Sequence, residues 1–372
     1  MRILIAGGGT GGHLYPALAV AEEALGRDDG HVVGFVGTSR GIEARVLPQM
    51  GHQLELIDVI RLKGAGLFGL LKGLIRLPKA LVQSLGVLRR FRPDVVVGVG
   101  GYASGPVVLL AALTGRPTLV MEQNAIPGFT NRVLARFVDR VVLTFESSRG
   151  ALPNRKLTVL GNPVRRSIRD ALVGAAAARD EASTTDERPL RLLVFGGSRG
   201  ARAINQVLPS IVAAMDAPVD VRHQTGVDDE ASVRADYASR DLEADVTPFI
   251  DDMAAAYSWC DIAVCRAGAT TVCELAVAGV PSILIPFPHA ADDHQSANAD
   301  ALVDVGAARV VRQSDLDPRQ VAAILSELAR DRGALRAMGE AARTVARPDA
   351  AEAVVDELEV LVDSKAQGGA GR

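Results

Sequence analysis

A chain of 372 residues with 48% hydrophobic and 23% charged side chains is long enough for two ordinary domains and has the composition of a folded protein. Only 4% of the residues are aromatic, which argues against a stacking platform for single-stranded nucleic acid, while 37 glycines point to tight turns. The net charge of −3 is unevenly placed: residues 1–160 carry +8 and the rest −11, so the two halves are expected to meet different partners. Cys260, Cys265 and Cys273 are an odd set without zinc-site spacing and read as reduced core residues of a cytosolic protein. The opening MRILIAGGG is too short an apolar run for a secretory signal, and no run reaches the roughly 18 apolar residues of a membrane-spanning helix.

In chain order, apolar runs at 2–6, 32–36, 95–99, 118–122 and 140–144 read as strands with helices between them, the pattern of a parallel α/β sheet. The first run enters Gly7-Gly8-Gly9-Thr10-Gly11-Gly12, which satisfies GxGxxG directly after a strand. A dinucleotide fold wants a carboxylate at the end of the second strand to hold the ribose. Here that strand runs Phe35-Val36-Gly37-Thr38-Ser39, so nicotinamide binding lacks its anchor. What survives is glycine backbone open to a ligand and a helix, starting near Leu14, that aims its positive end at an anion. Segment 61–92 then holds eight basic residues and no acidic one among leucines, isoleucine, valine and phenylalanine. That pattern fits an anionic membrane surface, and it equally fits a core helix with a solvated basic face. Nucleic acid ranks below both, because the whole chain is slightly acidic and carries no recognition motif.

A second glycine loop, Gly100-Gly101-Tyr102-Ala103-Ser104-Gly105, follows the strand at 95–99, and two such loops at one sheet edge suit a diphosphate. Gly9, Gly101, Tyr102 and Ser104 are its candidate holders. Segment 173–189, alanine-rich and then polar, reads as a surface loop. The run at 190–195 into Gly196-Gly197-Ser198-Arg199-Gly200 repeats the plan of the amino terminus, so the chain looks like two analogous halves. A strand at 261–265 ends in Arg266-Ala267-Gly268 and opens a helix whose N–H groups at Ala269, Thr270 and Thr271 are placed for phosphate. Glu274, in that helix, is placed to accept from ribose hydroxyls. A last amphipathic helix is expected at 349–363, followed by a frayed tail from Lys365.

These motifs taken together, GGGTGGHLYPALAV, GGYASGP, MEQNAIPG, GNPVR, GGSRGA and the long run from FIDDMAAAYSW to PFPHAADDHQSANA, resemble the MurG family. Those are the bacterial transferases that move N-acetylglucosamine from UDP to the lipid-linked N-acetylmuramyl-pentapeptide of peptidoglycan synthesis. The resemblance implies the glycosyltransferase B architecture: two Rossmann-like domains with parallel sheets facing a cleft. The acceptor domain would be 1–163 with the last helix, 349–372, and the UDP-sugar domain 164–348. Carried onto matching positions, Thr10, Gly11, Gly12 and Asn124 would adjoin the donor sugar and Arg165 the nucleotide. Ser198 would contact the diphosphate, the Ile250 backbone uracil, Ala269 to Glu274 the phosphates and ribose, and Gln295 and Asn298 the sugar. The PFPHAADDHQ stretch is one residue longer than in some relatives, with His294 where glutamine is common.

A sugar hydroxyl needs a base as it attacks, and His13, beside the first glycine loop, is the candidate. His31, His52, His223 and His289 have no comparable setting. The one DxD triplet, Asp315-Leu316-Asp317, sits in a helix-capping stretch away from the glycine loops, so no catalytic metal is expected, and no cofactor. The expected partners are UDP-N-acetylglucosamine, the lipid-linked acceptor, the anionic inner membrane surface and other proteins of cell-wall synthesis, with the enzyme peripheral on the cytoplasmic face. The competing readings are a UDP-sugar 2-epimerase and a non-catalytic sugar-nucleotide-binding subunit, with a dehydrogenase last.

Overall fold

The computed structural model describes residues 1–27, 29–59, 66–153, 156–181, 188–197 and 200–370, and side chains at 66–76, 175–181 and 368–370 are left aside. The chain divides into two compact units, Met1–Arg166 with Pro348–Arg372, and Ser167–Arg347.

The first unit holds strands β1 (Arg2–Ala6), β2 (Val32–Gly37), β3 (Leu54–Leu56), β4 (Val95–Gly98), β5 (Thr118–Glu122), β6 (Arg140–Leu143) and β7 (Leu157–Val159). Its helices are α1 (Gly11–Gly26), α2 (Glu43–Gln49), α3 (Gly66–Phe91), α4 (Ser104–Leu113) and α5 (Phe129–Leu134). Helix α6 (Arg166–Glu181) leads into the second unit. There follow β8 (Leu190–Phe195), β9 (Val219–Gln224), β10 (Asp245–Thr247), β11 (Ile262–Cys265), β12 (Ser282–Leu284) and β13 (Ala308–Val310). They alternate with α7 (Arg202–Ala213), α8 (Glu230–Ala238), α9 (Met253–Trp259), α10 (Ala269–Ala278), α11 (His294–Val303), α12 (Pro318–Arg330) and α13 (Arg332–Thr344). The closing helix, α14 (Ala350–Ala370), belongs to the first unit.

Both sheets are parallel throughout, in the order β3-β2-β1-β4-β5-β6-β7 and β10-β9-β8-β11-β12-β13. Such strands are covered on both faces, which is why RILIA is a near-continuous apolar run. Successive residues go to opposite layers. Ile3 and Ile5 pack with Leu14 and Leu18 of α1 and Val354 and Leu358 of α14, while Leu4 and Ala6 pack with Val87, Val107 and Val108 from α3 and α4. In the second unit Leu192 and Val194 pack with Ile204 and Leu208 of α7 and Leu325 of α12.

Two sequence expectations are corrected. The segment at 173–189 is not a loop throughout: α6 runs to Glu181, anchored by buried Ile168 and Leu172, and its alanines supply the best intrinsic helix former. Only 182–187 of that segment lie outside the described residues. Nor does the tail fray from residue 365, since α14 continues to Ala370 and Lys365 reaches Asp139 Oδ2 at 2.8 Å and the Arg116 carbonyl at 3.2 Å. Helix α14 is also held by Arg27, which pairs with Asp356 and Glu359, and by Arg140 with Glu357. Glu359 Oε1 also meets His31 Nε2 at 3.1 Å; with Asp29 nearby, this cluster is a tie between helix and sheet. Among the described residues no helix is long and apolar enough to cross a membrane.

Candidate functional site

In an open parallel sheet, ligands bind beyond the carboxyl ends of the strands where the order reverses. In the first unit that point lies between β1 and β4, whose ends run into the glycine loops at 7–12 and 100–105. The loops interlock by backbone. Gly8 N–H donates to the Gly100 carbonyl at 3.3 Å, and a Cβ on Gly101, whose φ is +81°, would stand 2.5 Å from the Gly8 oxygen. The His13 ring lies on Gly100, where a Cβ would meet its Nε2 at 2.8 Å, and its Nδ1 is 3.1 Å from Thr10 Oγ1. His13 is thus half-buried and oriented from both sides, at the opening turn of α1 with the exposed Thr10 and Gly12.

The glutamate of MEQN organises the neighbouring loop. Buried Glu122 accepts from Asn124 N and Nδ2 on one oxygen and from Gly128 N and Asn131 Nδ2 on the other. Asn124 is in turn fixed by Ser148, whose hydroxyl donates to its carbonyl at 3.0 Å. Arg165 stacks its guanidinium over Tyr15 of α1 at 4.9 Å. Two of the expected diphosphate holders have other partners. Gly9 N–H donates inward to Glu43 Oε2 at 2.6 Å, and fully buried Ser104 donates its hydroxyl to the Gly101 carbonyl at 3.1 Å. Neither group is therefore left to a ligand, whereas Tyr102 stands exposed beside them.

In the second unit the reversal lies between β8 and β11. Strand β8 ends in the Gly196 loop, of which Ser198 falls outside the described residues, and β11 ends at Cys265, followed by Arg266 and the amino end of α10. Ala269, Thr270 and Thr271 form that first turn. Glu274 follows on the same helix, and Tyr257 of α9, itself fully buried, donates its hydroxyl to Glu274 Oε2 at 3.0 Å. Burial, and the Glu274 charge after it, push the Tyr257 pKa well above its ordinary value. Ile250 lies half-buried in the turn after β10. Gln295 accepts at Oε1 from Phe287 N at 2.9 Å, and Asp292 and Asp293 before it both take left-handed φ values, 56° and 54°. Asn298, expected as a sugar contact, is fully buried in α11 and donates to the Ala267 carbonyl at 3.2 Å, bracing the turn ahead of α10.

A pocket of about 550 Å³ opens here, lined by Gly196, Gly200, Arg202, Arg266, Gln295 and Gln313 among others. Arg266 follows β11 in a motif from which its role is not evident in the sequence. Its guanidinium donates to the carbonyls of Ile285 and Pro286, both at 3.1 Å, and to Gln313 Oε1 at 2.7 Å. Among the described residues no carboxylate pairs with it, and burial draws its pKa below the ordinary arginine value. Partly desolvated and held by neutral acceptors at the wall of a pocket, this cation is able to pair with an anion. The DxD triplet lies two residues beyond Gln313, nearer this pocket than the sequence suggested. Within it Asp317 caps α12 through Arg319 N at 3.0 Å, and Asp315 accepts from Ser314. Cys260 and Cys265 are buried thiols outside any disulfide, the latter with its pKa raised by burial. His223 is buried between Tyr237 and Asn205, a structural role.

Residues 3–143 match the glycosyltransferase family 28 N-terminal domain and residues 191–354 the family 28 C-terminal domain. A protein of Myxococcus xanthus named UDP-N-acetylglucosamine--N-acetylmuramyl-(pentapeptide) pyrophosphoryl-undecaprenol N-acetylglucosamine transferase is 49% identical over 99% of this chain and 94% of its own length. The crystal structure of Acinetobacter baumannii MurG superposes with a TM-score of 0.79 at 36% identity, covering 96% of this chain and 99% of that one. A UDP-GlcNAc 2-epimerase from Neisseria meningitidis bound to UDP-GlcNAc reaches a TM-score of 0.65 at 13% identity over 96% of this chain and 99% of its own, a likeness of fold alone.

Proposed function

From the premise that this chain belongs to glycosyltransferase family 28, within its MurG branch, we propose that it transfers N-acetylglucosamine from UDP to the 4-hydroxyl of a lipid-linked N-acetylmuramyl-pentapeptide. What supports the reading is found in each unit by itself: a fixed imidazole, His13, at the switch point of the first, and a pocket walled by Arg266 at that of the second. The reaction is a single displacement with inversion. The acceptor O4 forms a bond to the sugar C1 as the bond from C1 to the diphosphate oxygen breaks, and the electron pair leaves with UDP. The O4 proton passes to His13. Charge growing on the diphosphate is met by the amino end of α10, at Ala269 to Thr271, and by Arg266.

In this reading the second unit takes the nucleotide, with Ile250 on uracil, Glu274 on the ribose, Ser198 on the diphosphate and Gln295 on the sugar. The first unit contributes Thr10, Gly11, Gly12, Asn124 and Arg165, and takes the acceptor with Gly101 and Tyr102. His13→Ala tests the assignment of the base. Turnover should fall at least a hundredfold, the usual scale of general base catalysis, with UDP affinity unchanged. Retained turnover would remove His13 from the mechanism.

The acceptor's lipid anchor calls for a membrane-facing surface, and segment 61–92 is assigned to it. Support comes from α3, where Val82 is 71% exposed and Leu77 39%, beside the exposed Arg89. Lys79 and Arg90 are partly neutralised by Asp58 and Glu55, while Arg61 and Lys63 lie outside the described residues. Neutralising Arg76, Lys79, Arg89 and Arg90 together should weaken binding to anionic vesicles while sparing turnover of a short-chain soluble acceptor. Unchanged vesicle binding would refute the assignment.

A further inference from the structure

The GxGxxG loop after β1 has the sequence of a phosphate cradle, but its inner donors are already taken. Gly7 N–H donates to the Val36 carbonyl at 3.0 Å, Gly8 N–H to Gly100, and Gly9 N–H to Glu43 Oε2 at 2.6 Å. Glu43 opens α2, is 1% exposed, and accepts on its other oxygen from Thr38 N at 3.0 Å and Thr38 Oγ1 at 3.2 Å. Its carboxylate sits in a socket walled by Gly8, Gly37 and Gly41, none with room for a methyl group there; on Gly41 a Cβ would come within 2.0 Å of the carboxylate. Among the described residues no lysine or arginine pairs with it, so the charge is balanced by loop N–H and hydroxyl donors. A buried carboxylate in that arrangement is a strong and directional tie, since charge-assisted hydrogen bonds are about twice as strong as neutral ones.

We infer that Glu43 is a positioning residue for the transfer, an internal anion that fills the first glycine loop and fixes the Gly9–Thr10 backbone from which His13 is presented. The inference rests on the proposed transferase reading for its catalytic consequence. It also assigns the acceptor's diphosphate to other donors, at Gly101 and Tyr102 and the opening turn of α1, because a second anion at Gly9 would face the Glu43 charge.

The test uses the full chain. Glu43→Gln preserves volume, so a packing role alone predicts unchanged kinetics. The amide offers one acceptor oxygen and turns N–H toward a donor, so kcat is expected to fall about tenfold while KM for UDP-N-acetylglucosamine stays within twofold. Unchanged kcat, or a rise in KM that accounts for the whole loss, overturns the inference. Glu43→Ala provides a second readout that needs no acceptor. Formate should raise its melting temperature saturably by refilling the socket and leave the wild type unmoved; no difference between the two overturns the internal-anion role. If the wild type shows no transfer at all, the transferase reading fails while the formate result still decides whether an anion belongs in the loop.

Discussion

Replacing Tyr257 by phenylalanine removes one oxygen atom from a fully buried ring that packs edge-on against Phe195 at 5.9 Å. That oxygen donates to Glu274 at 3.0 Å, and its raised pKa keeps it a donor at every working pH. A hydrogen bond to a charged group contributes about 1.5–3 kcal/mol. Glu274 is only half-buried, so water makes up part of the loss, and the lower end of about 1.5 kcal/mol, roughly tenfold in affinity, is the expected cost. The assay is calorimetric titration of wild type and Tyr257→Phe with UDP and with 2′-deoxy-UDP. If Tyr257 aims Glu274 at the ribose, the variant loses about tenfold on UDP and clearly less on the deoxynucleotide, because one of the two hydroxyls served by Glu274 is already absent. Equal losses on both ligands, or none on either, would refute the chain from Tyr257 through Glu274 to the ribose.

Arg266→Gln should weaken UDP binding by about tenfold or more while uridine binding barely changes, since the lost cation serves the diphosphate and not the nucleoside; equal weakening of both would contradict the assignment. The pH dependence of stability follows from His223, whose pKa burial lowers to about 3 from 6.5. Below about pH 6.5 the unfolded chain takes up a proton that the folded one refuses, so this contribution is complete above that pH and declines by up to about 1.4 kcal/mol per unit on acidification. Denaturant titrations between pH 7 and 4 should show that loss, and His223→Gln should flatten it; an unchanged slope in the variant would assign the acid sensitivity elsewhere.

Much of the architecture was legible because a parallel sheet leaves a local trace. The long strands are apolar runs that end in turns: 2–6 and 118–122 coincide with β1 and β5 in the first unit, and 190–195 with β8 in the second. The short edge strands β3 and β7 carry three residues each and bury little, so they leave no such run. Alanine misled at 173–181, where an absence of periodicity hid a high helix propensity. In the site, the glycine loops were visible and their internal wiring was not. Glu43 meets Gly9 across 34 positions and Tyr257 meets Glu274 across 17, contacts created by strand order and invisible to spacing rules. Ser104 opens α4 and Asn298 lies within α11, and their hydrogen bonds to the Gly101 and Ala267 carbonyls, which hold the adjoining turns, were equally invisible to spacing rules. Arg266 could have been found as the basic residue at the carboxyl end of β11, the strand beside the second switch point.

The most direct test of the account is UDP release from UDP-N-acetylglucosamine in excess EDTA, with and without a lipid-linked muramyl-pentapeptide analogue. The account predicts release only when the analogue is present, with a disaccharide-bearing product in equal amount. Release without the analogue, or a donor epimerised and no disaccharide formed, would contradict it.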